Sequence, residues 1–312
     1  MMSNYIAIDG GTTNTRINLV KDYLVTDTLS YNIGARKGIE NKEILQEAVK
    51  EGIEKILSGN DMTENDIERI LVSGMLTSEF GIYEVNHISV PAGKKELHNA
   101  MAEVILSNIS AIPFVFIPGV KTDCGSLENA DMMRGEETEL AGLTDTYNTE
   151  GLFVLPGSHS KIIKTDKEGR IIDFFTMLTG EMLEALSENT ILRDAVDMKN
   201  TLLVKEYLLK GFEYAKSNGI NEAMFKVRVL KNMFFRSADE TYSFFLGAVL
   251  CDEVLKIINM RPRKVFIGGR KQIKTAIYEI LKKYMNASVF CIEDETVDKS
   301  VSLGMVKVYE FN

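Results

Sequence analysis

Apolar positions follow two rhythms along the chain. In "YIAIDGGTTNTRINLV" an apolar run, Tyr5 to Ile8, ends abruptly in Asp9. Small and polar residues follow (Gly10, Gly11, Thr12, Thr13, Asn14), and alternation resumes from Arg16 to Val20. The pattern predicts two strands joined by a Gly-rich turn, with a third extended run near residues 23–31. "NKEILQEAVKEGIEKIL" then changes to helical spacing, and "IERILVSGM" reads as a buried strand ending at Ser73-Gly74. "KKELHNAMAEVIL" reads as a second amphipathic helix and "IPFVFIPGV" as another buried strand. "DMMRGEETELAGL" places Asp131 at a helix start with acids in the first turns, which the helix dipole favours.

The second half repeats this opening. "GLFVLPGSHSKIIKTDKEGRIIDFFTML" reads as strand, Gly-Ser-His-Ser turn, strand, turn and strand. Long helical patterns follow over about 182–219 and 222–258, then a strand into Gly268-Gly269, a helix, a strand, and a last helix from about Asp298. Strands alternating with helices predict an α/β protein duplicated at domain scale, with lobes 1–149 and 150–312.

Composition narrows the functions. The 312 residues suffice for two cores, and a net charge of −9 argues against a nucleic-acid or anionic-membrane partner. An anionic substrate would need local cations. No apolar run has the length of a membrane span, and "MMSNYIAID" lacks the regions of a signal peptide. Cys124, Cys251 and Cys291 form no close pair, so they read as reduced, buried thiols of a cytoplasmic protein.

Glycine lets a backbone approach a ligand closely, and free N–H groups in such a turn cradle phosphate oxygens. A carboxylate at a strand end suits Mg²⁺, which keeps most of its water shell. Asp9 with Gly10, Gly11, Thr12 and Thr13 therefore reads as a phosphate and metal turn, and Gly157-Ser158-His159 as its counterpart. Either turn alone reads better as an ordinary hairpin turn, where Asp and Gly are expected anyway; their matched places in two half-chains favour a triphosphate clamp. The P-loop pattern is absent, and no G-x-G-x-x-G opens a helix.

"IAIDGGTTNTR", "PFVFIPGV", "MMRGEETELAG", "FVLPGSHSKII", "FFTMLTGEM" and "FFLGAVLCDEV" occur in order over nearly the whole chain. Together they resemble the 2-keto-3-deoxygalactonokinase family of the sugar kinase/hsp70/actin superfamily. Family members carry Asp-Trp-Gly-Ser-Thr-Asn in the first turn, where Gly10 replaces the tryptophan, and Pro-Gly-Thr-His where Ser158 stands. The resemblance implies two ribonuclease H-like lobes with an interlobe cleft, as in actin-like ATPases. It also implies ATP, Mg²⁺ and phosphorylation of the 6-hydroxyl of a 2-keto-3-deoxy sugar acid, with 2-keto-3-deoxygalactonate the expected substrate.

Candidate residues follow. Asp9 would organise Mg²⁺. Thr12, Thr13 and Asn14 would touch phosphate or sugar, while Arg16 fits the solvent face of its strand. Arg134 beside Glu136 and Glu137 suits charge neutralisation and proton acceptance. Either glutamate, or Asp123 or Asp131, is open as the base, and a solvated acidic helix turn is the plain alternative. His159 would donate to phosphate or to the sugar, and Lys161 would meet phosphate or lie on the exposed face of its hairpin; His87 and His98 read as surface or helix residues. Gly180 and Gly268-Gly269 occupy strand–Gly turns that in this superfamily approach the adenosine. Ser73, Gly74 and Met75 open a substrate loop, and Arg36, Lys94 or Arg134 would meet the carboxylate. Two rivals stand: a kinase of another sugar on the same scaffold, and a non-catalytic nucleotide switch or ATPase regulator, where a switch needs neither base nor sugar-acid cation. The partner expected is a small sugar acid; the sequence leaves oligomeric state open.

Overall fold

The computed structural model describes residues 3–122, 125–144, 147, 150–199, 201–269 and 271–311. Asp123, Cys124 and the expected boundary at Thr149 lie outside them.

The first half holds β1 (Asn4–Gly10), β2 (Thr15–Lys21), β3 (Leu24–Tyr31), α1 (Ala35–Glu40), α2 (Lys42–Gly59) and β4 (Arg69–Gly74). It continues with β5 (Ile88–Ser89), α3 (Lys94–Asn99), β6 (Ala102–Val104), β7 (Phe114–Phe116), β8 (Val120–Lys121), β9 (Met132–Met133) and α4 (Glu136–Leu143). The second half holds β10 (Gly151–Leu155), β11 (Ser160–Thr165), β12 (Ile171–Met177), α5 (Thr179–Asn189), α6 (Lys205–Asn218), α7 (Ile220–Asn232) and α8 (Ala238–Val249). It ends with α9 (Cys251–Asn259), β13 (Lys264–Ile267), α10 (Lys271–Tyr284), β14 (Ser288–Cys291) and α11 (Asp294–Tyr309).

One sheet runs β3-β2-β1-β4-β7-β6 and another β12-β11-β10-β13-β14, so the first five positions of each repeat one order. β1 is antiparallel to β2 and parallel to β4. Flanked by strands on both sides, β1 buries Ile6, Ala7 and Ile8 completely. β3 alternates exposed and half-buried positions, as an edge strand should. α2 starts where the Asn41 side chain accepts from Glu43 N–H at 2.8 Å, and buries Leu45, Val49, Ile53 and Ile56 on the first core.

The chain forms two compact units: residues 1–150, 165–174 and 295–312, and residues 151–164 and 175–294. This differs from an expected second lobe of 150–312. The C-terminal helix joins the first unit because its residues are spent there. Asn18 Nδ2 donates to Ser302 Oγ (2.7 Å), Tyr5 OH to Glu310 Oε1 (2.7 Å) and Lys307 Nζ to Gly142 O (3.1 Å). Residues 165–174 are held by paired backbone bonds between Ala92 and Ile171 (3.0 and 2.7 Å).

Other sequence expectations change. The helix over 94–106 stops at Asn99, because Ala102–Val104 pairs antiparallel with β7. The stretch 182–219 breaks after Asn189, where Thr190 Oγ1 donates to Leu186 O (2.5 Å) and accepts from Leu192 N–H (3.1 Å). The stretch 222–258 divides into three helices. Phe235 takes a positive φ of 52°, and Ser237 with Glu240 forms a capping box that restarts the chain as α8. Asp131 is not at a helix start; β9 intervenes and Gly135 (φ 112°) opens α4. Cys251 is buried as expected, whereas Cys291 is exposed. No helix among the described residues is long and apolar enough to cross a membrane.

Candidate active site

In the first unit, the ends of β1 and β4 meet the start of α4. The β1–β4 register sets Asp9 beside Ser73 and Gly10 beside Gly74. Gly74 has φ 75°, and a Cβ there would stand 2.4 Å from Gly10 O and 3.3 Å from Asp9 Oδ1. A Cβ on Gly135 would come within 3.3 Å of Gly74 Cα, so the start of α4 abuts both strand ends. Ser73 Oγ lies 2.9 Å from Thr138 Oγ1 and 3.4 Å from Glu137 Oε1. The parallel strands thus deliver Asp9, Ser73, Gly74 and the acids of α4 to one end of the sheet.

The loop after β1 is tight behind and open in front. Gly11 N–H donates to Asn14 O (2.8 Å), and Ala35 and Arg36 N–H groups donate to Gly11 O (3.0 Å) and Thr12 O (2.9 Å). Gly34 is required there, since its Cβ would meet Gly11 O at 2.6 Å. Thr12, Thr13 and Asn14 are exposed, and the backbone N–H groups of Thr12 and Thr13 make no hydrogen bond among the described residues. Arg36 is exposed on α1, while Met75 is half-buried in the short helical turn after β4.

Electrostatics ties this end together. Asp9 is partly exposed, yet desolvation raises its pKa against the pull of Arg16. Arg16 is its direct cross-strand neighbour, so the residue assigned to the solvent face is also the cation nearest Asp9 by register. Glu139 is pushed up to about 8 by desolvation, then by Glu136 and Asp9, with Arg16 opposing. The sequence reading missed Glu139, although it lies three residues after Glu136 and hence on the same helix face.

The "MRGEE" residues have unequal roles. Glu137 is buried, and both its oxygens accept from Gly135 N–H at 2.8 Å. Desolvation and Glu136 push its carboxyl up to about 8 against its hydrogen bonds and Arg134. It closes the turn into α4. Glu136, half-buried, has Oε2 3.2 Å from Arg134 N. Arg134 turns away from the acids: Nη1 donates to Thr77 O (2.7 Å) and Thr77 Oγ1 (2.5 Å), and Nη2 to Val85 O (3.0 Å) and His87 Nδ1 (3.1 Å). Its guanidinium thus binds the loop after β4, and burial lowers its pKa. His87 is a half-buried partner of Arg134, and His98 Nδ1 lies 3.0 Å from Val308 O. Lys94 begins α3 and Asp131 precedes β9.

In the second unit, the turn after β10 has the same plan. Ser158 is exposed, and the N–H groups of Gly157, Ser158 and His159 make no hydrogen bond among the described residues. The start of α5 backs it: Glu181 N–H donates to Ser158 O (3.1 Å), and a Cβ on Gly180 would stand 2.1 Å from Gly157 O. His159 Nε2 lies 3.2 Å from Glu181 Oε1. Gly268 N–H donates to Val154 O (2.8 Å), and Gly269 (φ 73°) packs so closely that a Cβ would meet Pro156 O at 2.4 Å. Gly157, Gly180, Gly268 and Gly269, scattered in sequence, therefore converge. Lys161 does not join them: it is buried, with Nζ 2.8 Å from Thr176 Oγ1. Glu253, which the sequence reading passed over inside "FFLGAVLCDEV", is buried behind the turn.

Solved structures share this chain course. A crystal structure described as "a putative 2-dehydro-3-deoxygalactonokinase protein from Sinorhizobium meliloti" superposes with a TM-score of 0.79 at 20% identity, covering 97% of this chain and 95% of that one. The activator of the 2-hydroxyisocaproyl-CoA dehydratase from Clostridium difficile, with bound ADPNP, gives 0.51 at 11% identity over 99% and 95% of the chains. The (R)-2-hydroxyglutaryl-CoA dehydratase component A of Acidaminococcus fermentans gives 0.52 at 12% over 97% of each. The fold is that of the α/β class of actin-like ATPases and sugar kinases. A family model described as 2-keto-3-deoxy-galactonokinase matches residues 9–305, and the chain belongs to that family. The "Probable 2-dehydro-3-deoxygalactonokinase DgoK1" of Rhizobium meliloti (strain 1021) is 30% identical over 206 residues, 63% of this chain. The match spans 60% of that curated relative's length.

Proposed function

We propose that this protein transfers the terminal phosphoryl group of ATP to the 6-hydroxyl of 2-keto-3-deoxygalactonate, giving the 6-phosphate. The observation that carries the reading is the pair of turns, 11–14 and 157–159. Each has backbone N–H donors without a partner among the described residues, an exposed hydroxyl residue (Thr12 and Thr13 in the first, Ser158 in the second), and a glycine-tight backing. Family membership supplies the substrate class.

Asp9 fits Mg²⁺ on donor chemistry. No group of three or more His, Cys, Asp or Glu residues among the described ones could hold a metal, so a dedicated protein cage is absent there. A single strand-end carboxylate beside exposed threonines suits an ion that keeps its waters and takes phosphate oxygens. Bound there, Mg²⁺ would neutralise charge on the transferring phosphates.

In this reading Gly157, Ser158 and His159 take phosphate oxygens through backbone and side-chain donors, and Gly268-Gly269 adjoin the adenosine. Glu136, the partly exposed acid of its pair, accepts the hydroxyl proton; Glu137 holds the turn. Asn14 and Met75 adjoin the sugar, while Ser73 and Gly74, both buried, back the loop that carries Met75. Arg134 is spent on the loop after β4, so exposed Arg36 meets the sugar acid's carboxylate.

A coupled ADP-release assay over a panel of sugar acids and neutral sugars tests this. Turnover that needs a 2-keto-3-deoxy sugar acid is expected, with Asp9→Asn slowing it roughly a hundredfold or more while the protein stays folded. ADP release indifferent to any sugar would make the protein an ATPase regulator, and ATP binding without ADP release a nucleotide switch. Preference for a neutral sugar would remove the carboxylate role of Arg36.

A further inference from the structure

Behind the second turn lies a buried carboxylate to which the proposed chemistry gives no part. Glu253, on α9, is 1% exposed. Its Oε1 accepts from Ser160 Oγ at 2.5 Å, and its Oε2 accepts from Thr179 Oγ1. Ser160 is the first residue of β11, immediately after Gly157-Ser158-His159. Thr179 is the first residue of α5, immediately before Gly180, which packs on Gly157 O. One carboxylate thus ties together the two segments that form the front and back of the turn.

We infer that Glu253 is a positioning residue: a strut that holds the Gly157–His159 turn at the spacing from α5 needed to take nucleotide phosphates. The inference rests on the proposed nucleotide role of that turn.

Three observations support a positioning role over simple filling of the core. First, burying a carboxylate is costly, and α9 would fill the same space with an apolar side chain at less cost. Second, the carboxylate is satisfied by two hydroxyls from two different elements, so it fixes a distance between them. Third, among the described residues the Glu181 N–H to Ser158 O bond and the His159–Glu181 contact join turn and α5 at the mouth. Glu253 supplies the tie at the base. Desolvation raises its pKa and the two hydroxyls lower it, so both arms stabilise the charged form. A hydroxyl both donates and accepts. In Glu253→Gln, whichever hydroxyl faces the amide nitrogen rotates to accept, and the bridge survives.

The test compares Ser160→Ala and Thr179→Val, which cut one arm each, with Glu253→Ala, which cuts both, and Glu253→Gln. Amide hydrogen exchange in the ligand-free protein reads the turn directly; ADP affinity and the KM for the sugar acid read its consequence. Exchange at the Glu181 amide, which is bonded to Ser158 O, should accelerate roughly tenfold in the single-arm variants and more in Glu253→Ala, with β13 amides unchanged. ADP should bind roughly five- to tenfold more weakly while the KM for the sugar acid stays within about twofold. Glu253→Gln should restore both readouts. Acceleration spread evenly over the unit, equal losses for ADP and sugar acid, or a Gln variant no better than Ala would overturn the strut. If the wild-type protein binds no ADP, the proposed function fails, while the exchange pattern still decides the strut.

Discussion

Arg134→Lys separates structural from chemical use of the one cation in the "MRGEET" stretch. The guanidinium fork reaches two sides of the loop after β4: Thr77 O and Oγ1 through Nη1, Val85 O and His87 Nδ1 through Nη2. Thr77 is fully buried and Val85 9% exposed. A lysine ammonium is a point donor and serves one side only, leaving a desolvated carbonyl on the other. A lost charged hydrogen bond and an unpaired buried acceptor together cost about 3 kcal/mol. At roughly 2–4 °C per kcal/mol for a domain of 150–250 residues, Tm should fall about 6–12 °C. His87 adds a second readout. Burial first, then Arg134 and Lys121, hold its pKa at about 4. Arg134→Lys keeps a cation there, so His87 should stay low; in Arg134→Met it should rise, with burial and Lys121 still holding it below the ordinary value. Thermal unfolding and NMR titration of the His87 ring measure both. A Tm within about 2 °C of wild type with an unmoved His87 in Arg134→Met would refute the clamp. A large loss of kcat at unchanged Tm would return Arg134 to the phosphoryl group.

Gly180→Ala puts a methyl 2.1 Å from Gly157 O, so the second turn must shift, and the KM for ATP should rise more than that for the sugar acid; equal effects on both would count against a nucleotide role. Stability should depend on pH through Glu137, whose carboxyl is raised from 4.5 to about 8. Between those values the folded state holds the extra proton, so its contribution is full below about pH 4.5 and is lost as pH rises through about 8. Glu137→Gln should flatten part of that slope in urea unfolding of the ligand-free protein, with Glu139 keeping its own share; an unchanged slope would show that Glu137 is not the buried titrating acid. Arg36→Ala should raise the KM for the sugar acid and spare a neutral analogue, and equal turnover of the acid would send the carboxylate elsewhere.

The sequence by itself determined the plan of the fold. Apolar runs of strand length that stop at Asp9, Ser73 and Gly268, separated by helical spacing, specify buried strands with small residues at their ends, because only such strands can lie at a sheet centre. The duplication was visible because each hairpin turn is a local signal: Asp9 to Asn14 and Gly157 to His159 lie within a few residues. Tertiary structure decided which distant residues meet. "AEVIL" has helical spacing, yet Ala102–Val104 is a strand because β7 offers it an edge. Arg134 looked like a charge for substrate, but Thr77, Val85 and His87 take its donors. Lys161 looked like a phosphate ligand, but strand alternation turns it inward to Thr176. Glu137 and Glu139 are chemically alike and two residues apart; burial and neighbours make one a turn-closing cap and set the other beside Asp9. Glu253 carried no local signal at all. Its role comes from two hydroxyls, 93 and 74 residues away in sequence, brought to its carboxylate by the packing of α9 against the turn.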